Sequence, residues 1–299
     1  MQVGAHRVRN PRRPVGEARR SPGRTREGAQ RVQIPLALWA LTVLAAVTGC
    51  ASWQWNRHQV NLPERHTVNL DQLVIHSDFE LPSQHRLLQE INAERTDVSG
   101  QLNLPISDEK IDVYVFREPE KFYEFIRKQY PNFPDRRAFF IETDTRLSVF
   151  AYWGDRAAED LRHEVCHGYL HSMVQNLPLW LDEGLAKYFE VPRGMHGLNS
   201  AMLAELNRRA KDGSWRPDIR RLEMFRSPAE MTETDYAESW AWVHWLLETD
   251  PLHKSILQGY LTDLRRTGTP TPLSLYLRRL NGDPQQDLLA YVGWLSSKQ

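Results

Sequence analysis

Cysteine is nearly missing from this chain: Cys50 and Cys166 are the only two among 299 residues. A disulfide-stapled scaffold is therefore excluded. No internal repeat and no glycine-rich loop suited to cradling a phosphate can be found, which removes the repeat architectures and the common nucleotide-binding loops. No apolar run reaches the roughly 20 residues that a membrane-spanning helix requires. Net charge is absent as well, with 38 Lys and Arg against 38 Asp and Glu. That balance hides an uneven distribution, because residues 1–33 carry nine Arg and two Glu. Without residues 1–49 the chain holds 29 basic and 36 acidic residues. A mildly acidic body argues against nucleic acid as a partner.

What is present begins with a leader. Residues 1–33 are basic, with few large apolar side chains, and cannot bury enough surface to offset their ordering entropy. They are expected to be disordered. Residues 34–49 are uncharged and rich in Leu, Ala and Val, as in the hydrophobic region of a bacterial secretion signal. That region closes on Val47-Thr48-Gly49-Cys50, which resembles a bacterial lipobox. The resemblance implies a lipidated Cys50 at the mature N-terminus, leaving Cys166 without a disulfide partner. A plain membrane anchor with an incidental cysteine is the competing reading. Residues 50–65 read as a polar tether, and the absence of an acidic residue at Ala51 and Ser52 favours outer-membrane sorting. The expected location is the bacterial cell envelope.

Globular patterning runs from 66 to 299. Thr67 to Phe79 alternates as one or two strands, and Ser83 to Glu94 has helical spacing with Ser83 as its N-cap. Ile111 to Phe116 alternates strictly as a strand, Pro119 to Gln129 forms an amphipathic helix, and Ala138 to Trp153 forms a hairpin. The spacing then predicts helices over 156–176, 178–190, 198–211, 235–249, 253–265 and 284–296. The fold class expected is α+β: a mixed α/β lobe over 66–176, a mainly helical lobe over 177–299, and the chemistry at their junction.

The decisive segment is His163-Glu164-Val165-Cys166-His167. On a helix, residues four apart lie one turn up on the same face, so His163 and His167 can offer two imidazole nitrogens to one ion. Glu164 sits near enough to reach an activated water without being a ligand. Asp155 is the expected N-cap of this helix. Hydrolytic zinc takes three protein ligands and keeps one position open. The next helix, opened by Pro178, offers Asp182 and Glu183 as the third. Cys166 lies off the histidine line and reads as a small buried residue. His171 has the wrong spacing for a further ligand of the metzincin type and reads as structural.

HEVCH followed by WLDEGLAKYFE resembles the gluzincin, or peptidase MA-like, zinc metallopeptidases, the group holding thermolysin and aminopeptidase N. The likeness is strong over 160–190 and weak over 235–248. It implies a zincin-like fold, one zinc ion held by His163, His167 and Glu183, and Glu164 as general base. It also implies a tyrosine that stabilises the oxyanion, here Tyr236, with His244 a weaker choice. The apolar stripe Tyr236, Trp240, Val243 and Leu247 offers a plain core role for the same tyrosine. The expected function is a peptidase acting on peptides or protein segments, read as an endopeptidase. A catalytically inactive scaffold and a zinc amidase acting on cell-wall peptides are the alternatives.

Two departures matter. The amine-gripping Gly-x-Met-Glu-Asn element of the exopeptidases is missing from Val149 to Gly154. Where thermolysin-like enzymes place an aspartate four residues after the glutamate ligand, this chain has Lys187, so the groups that orient the ligands must come from elsewhere. An exposed edge on strand Leu147 to Trp153 would bind an extended peptide. Cys50→Ser is expected to move the protein from the membrane to the soluble fraction on cell fractionation; continued membrane attachment would refute the lipobox.

Overall fold

The computed structural model describes residues 6–7, 61–269 and 271–298. All of the leader but His6 and Arg7, the apolar signal region, Cys50 and most of the tether lie outside them. The alternation expected of Ile111 to Phe116 is realised in a strand that faces two cores. Ile111, Val113 and Val115 point into the larger one, while Tyr114 and Phe116 join a smaller aromatic cluster on the opposite face. This strand, β4 (Ile111–Phe116), lies in the middle of a mixed sheet of order β1-β5-β6-β4-β3-β2. The others are β1 (His6–Arg7), β2 (His66–Leu70), β3 (Leu73–Ser77), β5 (Ala138–Thr143) and β6 (Arg146–Tyr152). β2 pairs antiparallel with β3, β3 and β6 flank β4 in parallel, and β5 returns antiparallel on β6.

One helix, α2 (Pro119–Gln129), covers the aromatic face with Phe122, Phe125 and Ile126. The other face receives α1 (Arg86–Leu102) and α3 (Ala157–Met173), tied together by the Tyr169 hydroxyl donating to the Ile91 carbonyl at 2.9 Å. α1 runs eight residues past its expected end. Its inward stripe continues through Val98 and Leu102, and the polar Glu94 at an inward position disguises that continuity. Its cap is also displaced: His85, not Ser83, accepts from the Leu87 amide at 3.2 Å. Asp155 likewise does not cap α3. The helix starts after Arg156 without a side-chain cap, and Glu159 and Asp160 supply first-turn negative charge.

The expected edge on β6 is overturned. β6 lies between β4 and β5 with both sides paired. Its apolar side chains Leu147, Val149, Phe150 and Ala151 are buried on both faces, the signature of an interior strand. Among the described residues, β5 is followed in the sheet only by the two-residue β1, which pairs with it in parallel at Ile141 and Glu142.

The rest is helical: α4 (Leu179–Phe189), α5 (Ser200–Asp212), α6 (Ile219–Leu222), α7 (Glu233–Glu248), α8 (Pro251–Thr267), α9 (Leu273–Leu277) and α10 (Pro284–Ser296). Starts follow local chemistry. Thr232 and Asp235 form a reciprocal capping box on α7, and Asp250 and Asp283 cap helices that open with Pro251 and Pro284. Among the described residues no helix is long and apolar enough to cross a membrane.

α4 is pressed between α3 and α7. A Cβ at Gly184 would lie 2.5 Å from the Ser239 carbonyl oxygen, a backbone atom that cannot step aside. The glycine therefore sets how closely α4 approaches α7, and with it the position of Glu183. Gly184→Ala is expected to destabilise the fold by about 2 kcal/mol through overpacking, read as a lower midpoint in chemical denaturation; an unchanged midpoint would mean that α7 yields.

Candidate metal centre

α3 projects His163 and His167 from one face, and α4 turns Glu183 back toward them after the break at Asn176-Leu177-Pro178. The two imidazole Nε2 atoms lie 3.1 Å apart. The Glu183 Oε2 atom is 3.6 Å from His163 Nε2 and 3.9 Å from His167 Nε2. All three side chains are fully buried. Donors at about 2.05 Å around a tetrahedral zinc would stand roughly 3.3 Å from one another. Of the two acidic candidates for the third position, Glu183 is therefore the one that meets both histidines through Nε2.

Each imidazole is held from behind. His163 donates from Nδ1 to Glu190 Oε2 at 2.8 Å, and His167 from Nδ1 to Asp182 Oδ1 at 2.9 Å. With both Nδ1 protons committed to carboxylates, both Nε2 lone pairs face the same buried point. The two Nε2 atoms, 3.1 Å apart, are close enough to share one proton, and a cation bound by both lone pairs would take that proton's place. The donor set thus fits zinc in type, spacing and tautomer.

The orienting groups, which sequence reasoning left unidentified, are these two carboxylates. Glu190 is fixed by Lys187 Nζ at 2.8 Å and Asn199 Nδ2 at 2.8 Å, and its backbone carbonyl accepts from Arg162 at 2.6 Å. Lys187, the residue out of keeping with the thermolysin pattern, therefore serves the site through Glu190. Burial, reinforced by the Lys187 charge, keeps His163 neutral and pushes it down to about 3, as a metal ligand requires. For His167 burial works the same way, but Asp182 and Glu183 outweigh it and its pKa rises.

Glu164 sits among these groups, wholly buried, with neither carboxylate oxygen hydrogen-bonded to the protein. Burial raises it to about 8 against the pull of His167. The Tyr236 hydroxyl, in the first turn of α7, is 1% exposed, and burial with the nearby Glu183 charge raises its pKa. It makes no hydrogen bond of ordinary geometry, although Arg136 lies near enough to oppose that rise. Tyr236 thus belongs both to the buried stripe of α7 and to the surroundings of the site. Arg136, buried just before β5, acts electrostatically on Glu164 and Tyr236 alike. Nothing in the polar run Asp135-Arg136-Arg137 marks it.

His244 is not brought to the centre. It hydrogen-bonds the Tyr291 hydroxyl at 2.9 Å and packs against Trp240 and Tyr188. Cys166 is buried and off the histidine line, as expected. His171, expected to be merely structural, bonds both Asp182 and Glu142.

Residues 158–266, which span α3 to α8, match a family described as a protein of unknown function, DUF1570. No curated protein matches. Among solved structures the chain is similar to an M1 zinc metallopeptidase from Deinococcus radiodurans, at 16% identity and a TM-score of 0.43 over 78% of this chain and 51% of that one. Its E323A mutant gives 15% identity and the same TM-score and coverage. A two-domain M1 zinc metallopeptidase E323A mutant bound to L-tryptophan gives 14% identity and a TM-score of 0.41, over 76% and 50%. The chain spans about half the length of each.

Removing Lys187 would leave the buried Glu190 carboxylate without its cation. Lys187→Met is expected to cost about 3 kcal/mol in chemical denaturation, and adding Glu190→Gln to recover part of it. A double variant no more stable than the single one would refute the pairing.

Proposed function

We propose that this chain is a zinc-dependent peptidase of zincin-like fold, an endopeptidase anchored through Cys50 in the bacterial cell envelope. The observation that carries the reading is the buried meeting of His163, His167 and Glu183 beside a Glu164 carboxylate that accepts no hydrogen bond from the protein. Zinc, when bound, polarises a carbonyl and makes water more acidic.

The remaining chemistry belongs to the side chains. Glu164 takes the proton of the attacking water and returns it to the leaving amine nitrogen. Its burial gives the raised proton affinity that a base working near neutrality needs. Tyr236 donates its hydroxyl proton in a hydrogen bond to the carbonyl oxygen as negative charge builds there, with the Arg136 charge close by. Asp182 and Glu190 hold the two imidazoles in one tautomer and orientation throughout. An extended peptide is the substrate form favoured by β5, whose outer side, among the described residues, pairs only with a two-residue strand and so can pair with added backbone. This moves the peptide-binding edge from β6, where the sequence pointed, to its neighbour.

The test is Glu164→Gln, with zinc content and turnover of a peptide library measured together. The variant should keep one zinc per chain and lose turnover by about 100-fold or more. Zinc retained by the unmodified protein without any turnover would favour a binding scaffold, and absence of zinc from it would end the reading.

A further inference from the structure

The hydrogen bonds behind His167 do not stop at Asp182. Asp182 bonds His167 Nδ1 through Oδ1 at 2.9 Å and His171 Nε2 through Oδ2 at 3.0 Å. His171 Nδ1 in turn meets Glu142 Oε2 at 2.9 Å. The chain of contacts thus runs from a metal-facing imidazole to a residue of the sheet, on β5. It exists because α3 continues one turn past the His-Glu-x-x-His segment and repeats the four-residue step, His163, His167, His171, along one face.

Carboxylates accept hydrogen bonds and do not donate them, so both nitrogens of His171 are donors and its ring is a cation between two anions. That arrangement does two things. It occupies the second oxygen of Asp182, which fixes the rotation of the carboxylate and so the direction of the His167 ring. It also ties this support to β5 rather than to the helical layer alone. His171 is not plugging a hole in the core. It lines a solvent-reachable cavity of about 610 Å³ together with Trp180, Phe225 and Tyr260, so a smaller residue there leaves no sealed void.

We propose that His171 and Glu142 are positioning residues for the metal centre, acting on His167 through Asp182. The inference rests on the zinc reading above. It assigns a function to the His-x-x-x-His-x-x-x-His repeat, and it makes the ligand geometry depend on the strand offered to the substrate.

Zinc affinity of the full chain, measured by competition with a chelator, tests it. His171→Ala is expected to weaken zinc binding by about 10-fold or more. His171→Gln, whose side-chain amide can still donate to Asp182, should recover part of the loss and carries the test if the alanine variant fails to fold. Glu142→Ala should weaken binding too, and the double alanine variant should bind no more weakly than His171→Ala, because Glu142 acts through His171. With Co²⁺ in place of Zn²⁺, the visible absorption bands of His171→Ala should shift, a change that loss of packing alone would not produce. Unaltered zinc affinity and cobalt spectrum in the variants, or fully additive losses in the double variant, would overturn the relay while leaving the zinc reading intact. Failure of the unmodified protein to bind Zn²⁺ would overturn both.

Discussion

Two imidazoles aimed at one point inside a protein are an unstable arrangement unless something holds each from behind. Here the holding groups are the carboxylates of Asp182 and Glu190, each accepting an Nδ1 proton, and the rest of the centre depends on those two bonds. Buried carboxylates are themselves costly unless compensated. Glu190 is compensated by Lys187 and Asn199, Asp182 by His171, and the backbone at Glu190 by Arg162. The centre is thus a small network of alternating charges, and its members come from α3, α4, β5 and the start of α5.

Packing brings that network to one place. α3 lies on the sheet face built by β4, β5 and β6, so its histidine face is fixed by apolar contacts from Leu161, Val165 and Tyr169. α4 reaches α3 on one side and α7 on the other, and Gly184 allows the second approach. Glu183 therefore points at the histidines because its neighbour has no side chain. α7 contributes Tyr236 from its first turn, where the capping box fixes the start of the helix.

Much of this was legible beforehand. The strand Ile111–Phe116, the helix Pro119–Gln129, the hairpin and the long helices of the second half follow from periodicity and local capping chemistry, which act over a few residues. Two errors share one cause. The end of α1 and the interior place of β6 both depend on what packs against the element. Glu94 looks like a helix-ending polar residue only until its burial is known.

Spacing alone was enough for the two histidines and the glutamate of one helix, because helix geometry converts a four-residue step into a shared direction without outside help. The sequence also narrowed the third ligand to two adjacent carboxylates. Only the tertiary structure divided the labour between them, Glu183 facing the two Nε2 atoms and Asp182 turning away to support His167. Only there did Glu190, His171 and Glu142 connect to the two imidazoles through hydrogen bonds, and only there did β6 take its place between β4 and β5. These are contacts between side chains far apart along the chain, and no local period encodes which of them meet.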